Sequence, residues 1–120
     1  VLGLIGTADR VGYVTTKHAL IGLTRAVALE TARDRDLTCN ALCPASVPTP
    51  AIEDRIARDM AARGETSRDA AVQAFLAGKQ PSGRFIAAER VAALAAFLCG
   101  PAGADITGAA LPLDGGWSAG

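Results

Sequence analysis

The stretch LTCNALC, residues 37–43, constrains this chain more than any other. It is short, apolar and bounded by breakers. The charged turn ARDRD (32–36) precedes it, and PASVPTP (44–50), with three prolines in seven residues, follows. Such a run fits a strand buried on both faces, the habit of parallel sheets covered by helices. Ahead of it, residues 1–12 are Gly-rich and irregular, and residues 13–31 read as a helix. Tyr13, Lys17, Leu20 or Ile21, Thr24 and Ala28 fall on one side of that helix. Small Ala19, Gly22 and Ala26 leave room for a neighbour to approach closely.

The same pattern continues toward the C-terminus. Residues 51–62 and 67–77 read as two amphipathic helices, the second opened by TSRD with Thr66 and Asp69 in a capping-box arrangement. GKQPSGRF (78–85) is a turn. Residues 87–99 form an Ala/Leu-rich helix that stops at Gly100 before Pro101. A short strand around Ala109–Leu113 and a glycine turn close the chain. Strands alternating with helices predict an α/β layer with a parallel sheet. Two strands are marginal alone, and the long helices need more sheet to cover, so the 120 residues read as a piece of an α/β domain.

Composition narrows the function. Half of the residues are hydrophobic, enough for a core, and 12 basic residues balance 12 acidic ones. No basic cluster offers a nucleic-acid surface. Every long apolar run is interrupted well short of the roughly 18 residues a membrane helix requires, and no charged segment precedes an apolar stretch as in a signal peptide. Three cysteines without framework spacing point to a reducing compartment, the cytoplasm. Cys39 and Cys43 would stand roughly 13 Å apart on a strand, too far to bridge. With one histidine in the chain, no metal site is expected, and the cysteines read as small buried hydrophobes.

Tyr13 and Lys17 stand four apart and so share a helix face. An ammonium beside a phenol favours the phenolate, and a phenol tuned toward neutrality can exchange a proton near pH 7. The same pair is also what an amphipathic helix start with a solvated lysine looks like. The pair alone leaves both readings open.

Its context does not. YVTTKHALIGLTRAVALE, then LTCNALCPASVPTP, then ITGAALPLDGG follow one another in the order and spacing of the short-chain dehydrogenase/reductase family. The chain resembles that family over essentially its whole length. KHALIGLTRAVALETA, CNALCP, GRFIAAERVAALAAFL and the ending DGGWSAG look most like its 3-hydroxybutyrate dehydrogenases. The resemblance implies the C-terminal half of a Rossmann-type, doubly wound parallel sheet with helices on both faces. It implies hydride transfer between NAD, with NADP not excluded, and a small hydroxy acid or ketone, here 3-hydroxybutyrate and acetoacetate. It also implies a homotetramer.

Residue by residue, Tyr13 matches the general acid/base, and Lys17 the residue that assists it and binds the nicotinamide ribose. Pro44, Val47 and Thr49 match the turn that packs on the nicotinamide. Ala45 stands where the family usually has glycine, and its Cβ is expected to crowd the cofactor. Arg10 and Trp117 match two positions of the group holding the substrate carboxylate. Arg55 stands at or near a third, where the look-alikes carry glutamine, and Leu2 replaces a histidine. His18 points away from Tyr13 and is expected to be structural. Residues 51–78 match the substrate lid.

Other family features have no counterpart within these residues. The catalytic serine position falls one residue before Val1, and Thr7 is too close to Tyr13 to replace it. The phosphate-binding glycine turn, the acidic residue on the ribose and the relay asparagine are also absent. The expectation is therefore a fragment without dehydrogenase activity by itself. The alternative is a truncated, non-catalytic remnant that serves only as an assembly or interaction module.

Overall fold

A computed structural model of the chain describes residues 1–34 and 36–120; Arg35, inside the expected charged turn, lies outside the described residues. Helix α1 spans Val11–Glu30, strand β1 Ala41–Pro44, α2 Pro50–Arg63, α3 Arg68–Leu76, α4 Ala88–Cys99 and β2 Ala110–Leu113. One-turn 3₁₀ helices cover Pro101–Gly103 and Trp117–Ala119. The two strands pair in parallel, Ala41 opposite Ala110 through Pro44 opposite Leu113. The α/β class with a parallel sheet is thus as expected, and each helix lies within two residues of its expected start.

The first strand is shorter and less covered than LTCNALC suggested. Of its four residues only Cys43 is buried. Residues 39 and 40 lie ahead of the ladder and are held mainly through side chains, although the Cys39 carbonyl also accepts from the Gly108 N–H at 2.7 Å. Thr107 Oγ1 accepts from the Cys39 N–H at 3.1 Å. The Asn40 amide donates to the Ile106 carbonyl at 2.6 Å and accepts from the Ala109 N–H at 3.0 Å. Asn40 therefore closes the entry of the sheet, where a further pair of strand residues was expected.

Local chemistry explains the helix ends. Thr31 stops α1 by turning both its N–H and its hydroxyl onto the Val27 carbonyl, each at 2.9 Å. Pro50 occupies the first turn of α2, where its missing N–H costs nothing. At α3 the cap is Ser67, whose hydroxyl accepts from the Ala70 N–H at 3.2 Å. The Thr66–Asp69 capping box does not form, because the helix starts one residue later than that spacing requires. Cys99 is also a correction: it is exposed, unlike Cys43, because α4 turns that edge outward.

Both α1 and α4 pack on β1, but two strands cover little of either. Ile21 and Ala28 are buried, whereas Leu23, Leu29 and Phe97 stay exposed. The radius of gyration is 16.8 Å, against about 13.6 Å for a compact domain of this length. Among the described residues no helix is long and apolar enough to cross a membrane.

The C-terminal turn is built around Asp114, which is buried. Its carboxylate accepts from the Gly116 and Ser118 N–H groups at 3.0 and 2.9 Å and from the Ser118 hydroxyl. Burial pushes the carboxyl up, but the Ser118 and Gly116 hydrogen bonds together outweigh it and leave it below its ordinary value. A lowered carboxyl contributes stability above its unfolded value of about 3.9, and loses it as pH falls through the folded value. Asp114→Asn should lower stability by roughly 1 kcal/mol near neutrality. Thermal midpoints followed from pH 7 to acid should then converge for the two proteins.

Candidate active site

A cavity of about 1010 Å³ lies against β1, from Ala41 to Pro44 and on into Ala45 and Ser46, with Trp117 reaching it from beyond β2. Crevices outside the carboxyl ends of parallel strands are where open α/β sheets bind ligands. Residues 1–3, 7–10 and the first half of α1 form one wall, Pro44, Ala45 and Ser46 the floor, and α2, Phe75 and Lys79 the opposite wall. Trp117, presented by the Asp114 turn, completes the rim.

Tyr13 and Lys17 face this space from α1. The Lys17 ammonium lies 5.3 Å from the centre of the Tyr13 ring, within cation–π range. The tyrosine is half exposed. The first loop lies directly against the same helix, and a Cβ on Gly3 would sit 2.7 Å from the Lys17 carbonyl oxygen. That close approach brings Leu2 into the cavity wall. His18 turns away and bonds the Val14 carbonyl through Nδ1 at 3.0 Å.

Of the residues singled out in the sequence, Arg10, Tyr13, Lys17, Pro44, Ala45, Arg55 and Trp117 line the cavity together. Val47 and Thr49 do not. Val47 is half-buried, and Thr49 is exposed and caps α2, its carbonyl accepting from Ile52 and Glu53. Ala45 keeps a negative φ, so its Cβ brings no backbone strain. Its N–H extends the sheet by bonding the Leu113 carbonyl at 3.1 Å.

Lys79 is the residue that the sequence pattern did not pick out. It lies in a turn between helices, and the available signal was its position four residues after Phe75. Its ammonium donates to the Phe75 carbonyl at 3.0 Å and sits 4.2 Å over the Phe75 ring. Arg55 lies over the same ring at 5.3 Å. Burial, then Arg55 and Arg10, push the Lys79 ammonium below its ordinary value. The salt bridge found among the described residues, Arg68–Glu53, lies outside the cavity. Arg10, Arg55 and Lys79 thus converge on the cavity without a salt-bridged carboxylate, an arrangement suited to a ligand anion. No group of three or more His, Cys, Asp or Glu among the described residues could hold a metal.

Comparison with known proteins agrees with the fold. Residues 1–118 match the family described as enoyl-(acyl carrier protein) reductase. A D-beta-hydroxybutyrate dehydrogenase of Rhizobium meliloti is 41% identical over 117 residues, covering 98% of this chain and 45% of that protein. A short chain dehydrogenase family protein from Francisella tularensis superposes with a TM-score of 0.87 at 26% identity, over 99% of this chain and 48% of that one. An actinorhodin polyketide ketoreductase solved with NADPH gives 0.80 at 34% identity, over 97% and 43%. The chain belongs to the short-chain dehydrogenase/reductase family of oxidoreductases. It spans about half the length of the relatives it matches.

Gly3→Ala should force the first loop away from α1, because the clash is with backbone and no side chain can yield. A loss of about 1–3 kcal/mol is expected, read as a lowered thermal midpoint in the protein that carries this chain. An unchanged midpoint would show that the contact is not tight.

Proposed function

We propose that the protein carrying this chain is an NAD-dependent dehydrogenase acting on a small hydroxy acid, 3-hydroxybutyrate and its ketone acetoacetate. The observation that carries this reading is the facing of Tyr13 and Lys17, on one wall of a single cavity, by the unpaired cations Arg55 and Lys79 on the other. A substrate with a hydroxyl near one end and a carboxylate at the other matches that polarity. The choice of NAD follows the likeness to hydroxybutyrate dehydrogenases; the ketoreductase with NADPH keeps NADP as the competing cofactor.

The donor set fits the nicotinamide end of such a cofactor. Tyr13, Lys17 and the Pro44–Ser46 floor lie around a space of about 1010 Å³, with a phenol and an ammonium suited to ribose hydroxyls. Pro44, Ala45, Val47 and Thr49 form the segment that would follow the nicotinamide. When bound, the cofactor supplies or accepts the hydride. The Tyr13 hydroxyl gives a proton to the substrate oxygen on reduction and takes it back on oxidation. Lys17 stabilises negative charge developing on that phenol oxygen. Arg10, Arg55 and Lys79 hold the carboxylate, with Trp117 closing the apolar side. Residues 51–78, which contain α2 and α3, act as a lid that excludes water. A cytoplasmic setting belongs to the same proposal, since three cysteines without framework spacing suit a reducing compartment. A homotetramer would cover the exposed leucines of α1.

Tyr13→Phe should lower kcat by about 100-fold or more with the thermal midpoint unchanged; a variant with normal kcat refutes the role of Tyr13. Lys79 offers a second check within the same assay. Its positive charge is lost at a lower pH than that of an ordinary lysine. KM for the hydroxy acid should therefore climb as pH approaches that range from below, and this climb should be missing in Lys79→Met.

A further inference from the structure

The segment after β1 and the turn after α3 meet at one buried amide. Gln80 is 3% exposed. Its Oε1 accepts from the Ser46 N–H at 3.0 Å, and its Nε2 donates to the Arg84 carbonyl at 2.8 Å. Ser46 is gripped a second time, its carbonyl accepting from the Ile86 N–H at 2.9 Å. The Gln80 backbone is fixed as well, its N–H on the Leu76 carbonyl at 3.0 Å and its carbonyl receiving the Gly83 N–H at 2.8 Å. A buried primary amide is costly unless both of its ends are paired, and here both pair with backbone.

The positions of the partners matter for the cavity. Ser46 is part of the cavity floor, next to Ala45, and Lys79 on the far wall is adjacent to Gln80 in the chain. The same turn reaches the C-terminus. The Ser82 N–H donates to the Gly115 carbonyl at 3.0 Å, and Gly115, at φ 62°, leaves no room for a Cβ against Ser82. One side chain thus stands between the floor, the cationic wall and the turn that presents Trp117.

We propose that Gln80 is a positioning residue. It sets the spacing between the segment toward the nicotinamide and the Lys79 turn toward the carboxylate, so that the two walls hold one geometry. This rests on the reading of the cavity given under the proposed function. Gln80 touches neither substrate nor cofactor, and it acts through the Ser46 backbone and Lys79. Removing it should loosen both walls and leave the Tyr13–Lys17 helix untouched.

The experiment compares Gln80→Met with Asn40→Leu in the protein that carries this chain. Each substitution removes a side chain with two backbone hydrogen bonds, but Asn40 lies at the far end of the sheet. The readouts are hydrogen exchange at the Ser46 amide, thermal midpoint, and KM for the nicotinamide cofactor and for 3-hydroxybutyrate. For Gln80→Met, Ser46 exchange should accelerate roughly tenfold and both KM values should rise about three- to tenfold, with kcat changed less. Asn40→Leu should lower the midpoint comparably and move neither KM. Unchanged Ser46 exchange in a folded Gln80→Met protein, or equal KM shifts in both variants, overturns the proposal. If Gln80→Met fails to fold, Gln80→Glu replaces it; this keeps the acceptor for Ser46 but sets an oxygen against the Arg84 carbonyl. Raised KM values are again expected, and wild-type KM values overturn the proposal. If the parent protein oxidises no hydroxy acid, the functional reading fails, and Ser46 exchange alone still decides the role of Gln80.

Discussion

Parallel pairing of β1 with β2 is the constraint on which the rest of the structure depends. Parallel strands cannot be joined by a tight turn; they need a long crossover. Here the crossover runs from Ala45 to Ala109 and contains α2, α3 and α4. Because the strands run the same way, both C-terminal ends open at one edge. The Pro44–Thr49 segment leaves from one end and the Asp114 turn from the other. The cavity gathers residues from the β1 exit, the first loop, α1, α2 and the Phe75–Lys79 region, with Trp117 from beyond β2. The ladder is only four residues long, so its entry is held by the Asn40 amide and its exits by buried polar groups, Asp114 and Gln80.

Electrostatics gives the cavity its character. Arg10, Lys17, Arg55 and Lys79 line it, against a single acidic side chain, Asp9. Crowding like charges in a partly desolvated space has a cost, and the lowered Lys79 ammonium is its signature. Phe75 eases it by placing a ring face beneath both Arg55 and Lys79. The remaining imbalance is what makes the α2–α3 wall suited to an anion under the proposed function.

Helix positions were legible because they rest on local rules. Periodicity marked α1, an amphipathic pattern marked α2, and glycine and proline marked the end of α4. The i, i+4 spacing of Tyr13 and Lys17 already placed them on one face. Errors arose where two local signals competed or where burial came from distant residues. Thr66 and Ser67 are both good caps, and one residue of helix start decided for Ser67. LTCNALC looked buried on both faces, yet most of it is half-covered, because burial of a strand depends on neighbours far away in the chain. Val47 and Thr49 show a different limit: the motif placed them beside Pro44, but where they stand relative to the cavity follows from α2 beginning immediately, with Thr49 as its cap.

What the sequence determined by itself is therefore the set of elements, their order, and the placing of Tyr13 and Lys17 on one face of α1. These follow from spacing along the chain and from the residues that start and stop helices. Only the tertiary structure decided which charges meet. Arg10, Arg55 and Lys79 are far apart in sequence, and no local pattern marks Lys79 as different from any solvent-facing lysine in a turn. The same holds for Gln80, whose partners, Ser46 and Arg84, lie on either side of it in the chain. Long-range juxtaposition is set by how helices pack on a parallel pair. That packing reflects the whole chain, so it cannot be read from any one stretch of it.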